Sequence, residues 1–242
     1  MNRKIIIAGN TDNLIGVPID IENYKSFFKS TWGGCFEEEE IDTSLVNATK
    51  STFISKLRDI KKQALDYFIF VFTGHGFSRS NGITGIEINK YGETIFESEI
   101  NYVATRQLNI FDCCRNTVPD EFTKVSALRC ESFSAVPPRE LIKKIFNKRI
   151  MVAKPQNISL YACETGEAAL DTAQGGMFSR NLLTCAKNNI QRGEFKGIQT
   201  LFNETRQNTI IASGKRQHPD CIIPRYKDSE SLIFSYNPNL NI

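Results

Sequence analysis

Several features that would assign the 242-residue sequence quickly are missing from it. No apolar run approaches the ~20 residues that span a bilayer. "MNRKIIIAGNTDN" turns polar too soon for a secretion signal, so it is expected to be a first strand, with a cytoplasmic location as the default. The seven cysteines (35, 113, 114, 130, 163, 185, 221) are odd in number and form no C-x-x-C pair, which argues against a disulfide framework and against a structural zinc site. No sign of charge dominates: the net charge is +3 and the pI about 8.4. Lysine and arginine are scattered rather than striped, which argues against a nucleic-acid partner. G-x-G-x-x-G and G-x-x-x-x-G-K-[ST] are both missing, so a nucleotide-binding reading of "AGNTDNLIG" has no phosphate cradle behind it. No repeat, low-complexity tract or boundary divides the chain, and a single domain over 1–242 is expected.

What is present is a rhythm. Short, nearly continuous apolar runs at 3–8, 67–73, 107–112 and 157–162, with a weaker one at 230–235, predict strands buried on both faces. Segments with helical spacing lie between them, at 18–30, 49–65, 98–105, 138–149 and 178–190. In the second, Phe53, Leu57, Ile60 and Ala64 form one apolar stripe, and Thr49 or Ser51 can cap its start. The stretch 86–96 predicts a hairpin turning at Tyr91-Gly92. Strand-helix alternation implies an α/β fold with a mostly parallel sheet and helices on both faces. The run Glu37 to Glu40 is expected to be a solvated acidic patch, and 115–137 is a long loop without clear periodicity.

In parallel sheets ligands gather beyond the carboxyl ends of the strands. "FIFVFTGHGFS" brings His75 just past one run, and "NIFDCCRN" brings Cys113 and Cys114 just past the next. A cysteine nucleophile needs a base or positive charge to supply its thiolate, and the chain has only two histidines. His75 lies between two glycines that leave its ring accessible, whereas His218, in "KRQHPDC", precedes a proline and follows no strand. His75 is the better base.

"TGHG" and "DCCR" resemble the caspase and metacaspase superfamily of cysteine proteases, whose signature is Q-A-C-[RQG]-G with a histidine upstream. Aligned on the cysteine, Asp112 stands at the glutamine, Cys113 at the alanine and Cys114 at the nucleophile. Arg115 follows, Asn116 replaces the last glycine, and His75 precedes Cys114 by 39 residues. "SLYACETGEAALD" and "GGMFSRNLL" are similar to segments that follow the nucleophile in prokaryotic members. The resemblance implies a caspase-like three-layer sandwich of about six strands. It makes Cys114 the nucleophile and His75 the general base, with main-chain N–H groups of Gly76 and Cys114 as the oxyanion hole and Cys113 packed under the sheet edge. A main-chain carbonyl often orients the imidazole in this superfamily.

The resemblance also speaks to the substrate. Caspases cut after aspartate, whereas metacaspases carry aspartate at the position of Asp112 and cut after arginine or lysine. "LIGVPIDIENY" resembles their G-C-x-N-D segment, which makes Asp20 either a second pocket acid or a first-turn residue beside the helix macrodipole. Glu164 follows another strand end and is a further candidate. The expectation is an endopeptidase for Arg/Lys sites, with 115–137 as a processing loop and Lys124, Arg129 and Arg139 as self-cleavage points. Protein substrates with a basic site are the implied partners, together with a regulatory partner protein in cell death or defence. The chemistry itself requires no cofactor. Calcium stays open, since many metacaspases need it and no ligand set maps onto this chain. The alternatives are a catalytically inactive, partner-binding caspase-like module and a thiol hydrolase for a nonpeptide substrate.

Overall fold

The apolar runs form strands whose alternate residues enter opposite layers. In a computed structural model of the chain, residues 1–116, 137–188 and 190–239 are described. In chain order their elements are β1 (Arg3–Gly9), α1 (Val17–Lys29), β2 (Ile41–Asp42), α2 (Lys50–Lys61), β3 (Tyr67–Gly74), β4 (Gly76–Ser78), β5 (Thr84–Glu87) and β6 (Thr94–Phe96). There follow α3 (Glu97–Ile100), β7 (Arg106–Cys113), α4 (Arg139–Val152), β8 (Gln156–Tyr161), α5 (Met177–Cys185), β9 (Phe195–Gly197), α6 (Ile198–Ala212), β10 (Asp220–Ile222) and β11 (Ile233–Tyr236).

A six-stranded sheet runs β10-β8-β7-β3-β1-β2, with every pair parallel except β10 against β8. Ile5 and Ile7 of β1 join Tyr24, Phe28, Phe146, Phe178 and Leu201 from α1, α4, α5 and α6. Ile6 and Ala8 turn the other way, onto Phe53, Leu57, Ile60 and Ile100 from α2 and α3. Each such side chain stabilises by about 1.5–3 kcal/mol when fully buried. The sheet is therefore the middle of three layers, as expected for the α/β class.

Thr49 caps α2, its side chain accepting the Thr52 N–H at 3.3 Å. The helix stops at Lys61, short of the expected 65, and Ala64 adopts a positive φ of 48°. The expected hairpin is β5 and β6, with Gly92 at positive φ in its connection, and β4 extends it to three strands. Three expectations change. The run 230–235 contributes β11, which pairs with β9 in a separate sheet rather than joining the main one. The longest helix among the described residues, α6, falls on no expected segment, because Thr205 and Thr209 occupy buried positions on its inward face. The Glu37–Glu40 run keeps Glu38 and Glu39 in solvent, as expected, but also forms an ion-pair junction: Glu40 meets buried Arg3, Glu38 meets Lys25 and Lys29, and Glu37 meets Lys143.

Candidate active site

Parallel pairing sets Gly74 of β3 opposite Cys113 of β7, so the next residues, His75 and Cys114, leave the sheet at one edge. Both line the same narrow cavity, together with Asp20, Thr73, Asp112 and Asp171. Its volume is about 20 Å³, room for little more than a water molecule.

His75 is tethered through Nε2, which lies 2.6 Å from the main-chain carbonyl of Asp12. A carbonyl only accepts, so Nε2 carries the proton and donates, and the lone pair of the neutral ring is on Nδ1. The flanking glycines are sterically required. A Cβ at Gly74, where φ is 150°, would lie 2.9 Å from the Asn10 nitrogen, and one at Gly76 would lie 2.6 Å from Cys113 Sγ.

The adjacent cysteines diverge. Cys113 is 1 % exposed and packs with Phe70, Phe111 and Tyr161 on the α2 side. Cys114 is half-buried on the α1 side, and its Sγ donates to the Ala169 carbonyl at 3.7 Å. Burial pushes the Cys114 thiol up, the bond to the Ala169 carbonyl draws it back, and the charge of Asp112 adds to the rise. Arg115, 5 % exposed, stacks 4.1 Å over the Tyr161 ring. It donates to the Cys163 carbonyl, to Asp220 Oδ2 and to the Gly82 carbonyl, tying three segments to the residue after Cys114.

Asp20 and Asp112 converge on the start of α5. Asp20 Oδ2 accepts the Gly176 N–H at 2.9 Å and the Thr73 hydroxyl at 2.9 Å, and Asp112 Oδ2 accepts the Ser179 N–H at 2.9 Å. Asp20 thus lies in the first turn of α1 but turns its carboxylate away, to the positive end of another helix. Burial, augmented by repulsion from Asp112, lifts the Asp20 carboxyl well above the usual range. Burial likewise lifts Asp112 to about 6. The glycine pair of "GGMFSRNLL" permits this crowding: a Cβ at Gly175 would lie 2.2 Å from Asp20 Oδ1, and one at Gly176 would lie 2.3 Å from Asp112 Oδ2.

Glu164 is not among the residues lining the cavity; it is exposed and pairs with Arg206 at 3.1 Å. Gly76 is not among them either, although it opens β4 directly after His75. His218 is held by Glu167, Nδ1 to Oε1 at 2.7 Å, outside the cavity. Asp171 and Thr73 were not singled out in the sequence, although Asp171 closes "SLYACETGEAALD" and Thr73 opens "TGHG". Lys124 and Arg129 lie outside the described residues, and Arg139 opens α4 with its guanidinium on the Lys29 and Phe36 carbonyls. Among the described residues, no group of three or more His, Cys, Asp or Glu is arranged to hold a metal ion. Among the same residues no helix is long and apolar enough to cross a membrane.

The Caspase domain family model (Peptidase C14) matches residues 2–227. Among solved structures the chain is similar to caspase-1 from Spodoptera frugiperda, with 14% identity and a TM-score of 0.56, covering 91% of this chain and 87% of that one. It is also similar to protein GSU0716 from Geobacter sulfurreducens, with 14% identity and a TM-score of 0.55, covering 98% and 99% of the two chains. No curated protein sequence matches the chain. At such identities the solved structures speak for the fold alone, and it is the family match over nearly the whole length that assigns membership: the chain belongs to the caspase-domain family of cysteine peptidases.

Proposed function

We propose that the protein is a cysteine endopeptidase that cuts polypeptide chains after arginine or lysine. One observation carries the reading: the Cys114 thiol and the tethered His75 imidazole line the same cavity as Asp20 and Asp112, and among the described residues no lysine or arginine lines it. A cationic side chain entering there would meet the Asp112 and Asp20 carboxyls, and its charge would favour their ionised forms, giving charge-assisted pairing with bidentate geometry open to arginine. An acidic side chain would meet repulsion.

The chemistry follows from the proton inventory. As Cys114 Sγ attacks the scissile carbonyl carbon, its proton passes to His75 Nδ1. The carbonyl π electrons become an oxyanion, for which the main-chain N–H groups of Gly76 and Cys114 are the candidate donors. When the C–N bond breaks, Nδ1–H protonates the departing amine and a thioester remains on Sγ. Water then attacks the thioester, giving its proton to Nδ1; the C–S bond breaks, the new carboxylic acid leaves, and Nδ1–H returns the proton to Sγ.

The experiment is a set of fluorogenic peptides that differ only in the residue before the scissile bond, assayed with and without calcium. Cleavage after arginine and lysine, and none after aspartate, is the expected result. Preference for aspartate would overturn the pocket reading, and turnover surviving in Cys114→Ala would overturn the nucleophile. Cleavage of the chain's own 115–137 segment, and the identity of any protein partner, can be read by mass spectrometry from the same preparations.

A further inference from the structure

The cavity has a third acid, and its setting differs from that of the other two. Asp20 and Asp112 are 1 % and 5 % exposed and bound to the start of α5. Asp171 lines the same cavity but is only half-buried, on the 164–171 connection. Its Oδ2 accepts the Gly16 N–H at 3.1 Å, and the Ile15 and Thr172 N–H groups act on the same carboxylate. Gly16 permits the approach, since a Cβ there would lie 2.0 Å from Asp171 Oδ1. Residues 10–16 form the connection between β1 and α1, and its Asp12 carbonyl receives the His75 Nε2–H. Burial raises the Asp171 carboxyl while those N–H groups and the His75 ring draw it back, which places the imidazole within electrostatic reach. The groups facing Asp171 and its pocket are thus Asp20 from α1, Asp112 and Cys114 from β7 and its end, and His75 from the end of β3.

Resting on the peptidase reading above, we propose that Asp171 is a specificity-determining and positioning residue, whose charge meets the cationic side chain of the substrate and whose bond to the Gly16 turn keeps the Asp12 carbonyl in place against His75. A cation long enough to reach Asp20 and Asp112 passes the more exposed Asp171 on its way. One carboxylate then links what enters the cavity to how the imidazole is seated. The two jobs separate chemically. Asparagine keeps an acceptor oxygen for Gly16 and removes the charge, and glutamate keeps the charge and moves the oxygen off Gly16 by one methylene.

The test compares full-length Asp171→Asn and Asp171→Glu with the unsubstituted chain in two assays. One is steady-state cleavage of an arginine reporter. The other is alkylation of Cys114 by iodoacetamide across pH, followed by mass, which needs no substrate. Asp171→Asn should raise KM about tenfold, the size of one charge-assisted contact, with kcat and the alkylation profile within about twofold. Asp171→Glu should hold KM within about threefold and slow both kcat and alkylation by about fivefold or more. An unchanged KM in Asp171→Asn overturns the specificity role, and unchanged kcat and alkylation in Asp171→Glu overturn the positioning role. Equal losses of every parameter in both variants reduce Asp171 to a structural residue. If the unsubstituted protein cleaves neither arginine nor lysine reporters, the pocket reading and the specificity role fall together, and the alkylation profiles still decide the positioning role.

Discussion

Asp112 on β7 and Ser179 on α5 are 67 residues apart in the chain and meet at 2.9 Å, the carboxylate Oδ2 accepting the serine main-chain N–H. The Ser179 hydroxyl and main-chain N–H together do not offset the burial, which leaves the carboxyl at about 6. A carboxyl that titrates higher in the folded chain than in the unfolded one binds its proton more tightly when folded. Its contribution to stability is therefore full below about pH 4 and lost as pH rises through about 6. Asp112→Asn keeps an oxygen for Ser179 and removes the charge. The expected outcome is a gain of about 1–2 kcal/mol at pH 7, or about 2–6 °C in melting temperature, shrinking toward zero at pH 4. The same variant should lose most cleavage of arginine reporters. Thermal melts at the two pH values check the first part, and a lower melting temperature at pH 7 would contradict it.

The two neighbouring cysteines should separate cleanly. Cys114→Ala should abolish turnover and leave the melting temperature within about 2 °C, since its side chain is partly open to the cleft. Cys113→Ala should retain most turnover and cost about 1–2 kcal/mol, because a fully buried sulfur is removed from the Phe70–Phe111 cluster. Initial rates and denaturant melts on both variants decide this, and equal activity loss from each would contradict the assignment.

Gly176→Ala should damage the pocket more than the fold. The added methyl would lie 2.3 Å from Asp112 Oδ2 and 3.1 Å from Asp20 Oδ2, so one acid must give way. A loss of about 1–3 kcal/mol in stability is expected, with a rise in KM for arginine reporters and a smaller change in kcat. An unchanged KM would show that the acids do not contact the substrate.

The wall of the cleft hangs on Gln217. Its Oε1 accepts the Leu170 N–H at 3.1 Å and its Nε2 donates to the Ala162 carbonyl at 2.9 Å, with no exposure. Gln217→Ala strands both main-chain groups, and a destabilisation of about 1–3 kcal/mol with lower kcat/KM is expected. Gln217→Glu, which keeps the acceptor alone, should fall between. Urea melts and reporter kinetics on the pair of variants provide the check.

The parts of this molecule that were readable in advance are those that depend on local patterning. The apolar runs behind His75 and Cys114 announce strands, and because neighbouring parallel strands deliver their ends to one edge, the two residues could be read together. The Thr49 cap was readable for the same reason. Other parts depend on partners remote in the chain. The three-residue β10 gains its place from the Leu160 region of β8 and from the ion pair of Asp220 with Arg115, and α6 hides its inward face behind Thr205 and Thr209. The group that tethers His75 is a main-chain carbonyl, which every residue possesses, so nothing in the identity of Asp12 announces it. Asp171 acquires its setting from Gly16, 155 residues away. Glu164 sits at a strand end like the others, yet a salt bridge to Arg206 draws it out to solvent.

Arg115 and Arg139 are each fastened to distant main-chain carbonyls, at Cys163 and Gly82 for the first and at Lys29 and Phe36 for the second. The strand that precedes Arg115 and the strand that follows Arg139 are joined by the parallel ladder from Arg106 opposite Gln156 to Phe111 opposite Tyr161. A backbone scission anywhere between them would therefore yield two fragments interleaved through that ladder, with β7 belonging to the first and β8 to the second. Such a nicked molecule would migrate as a single particle in native buffer and part into two polypeptides only in denaturant.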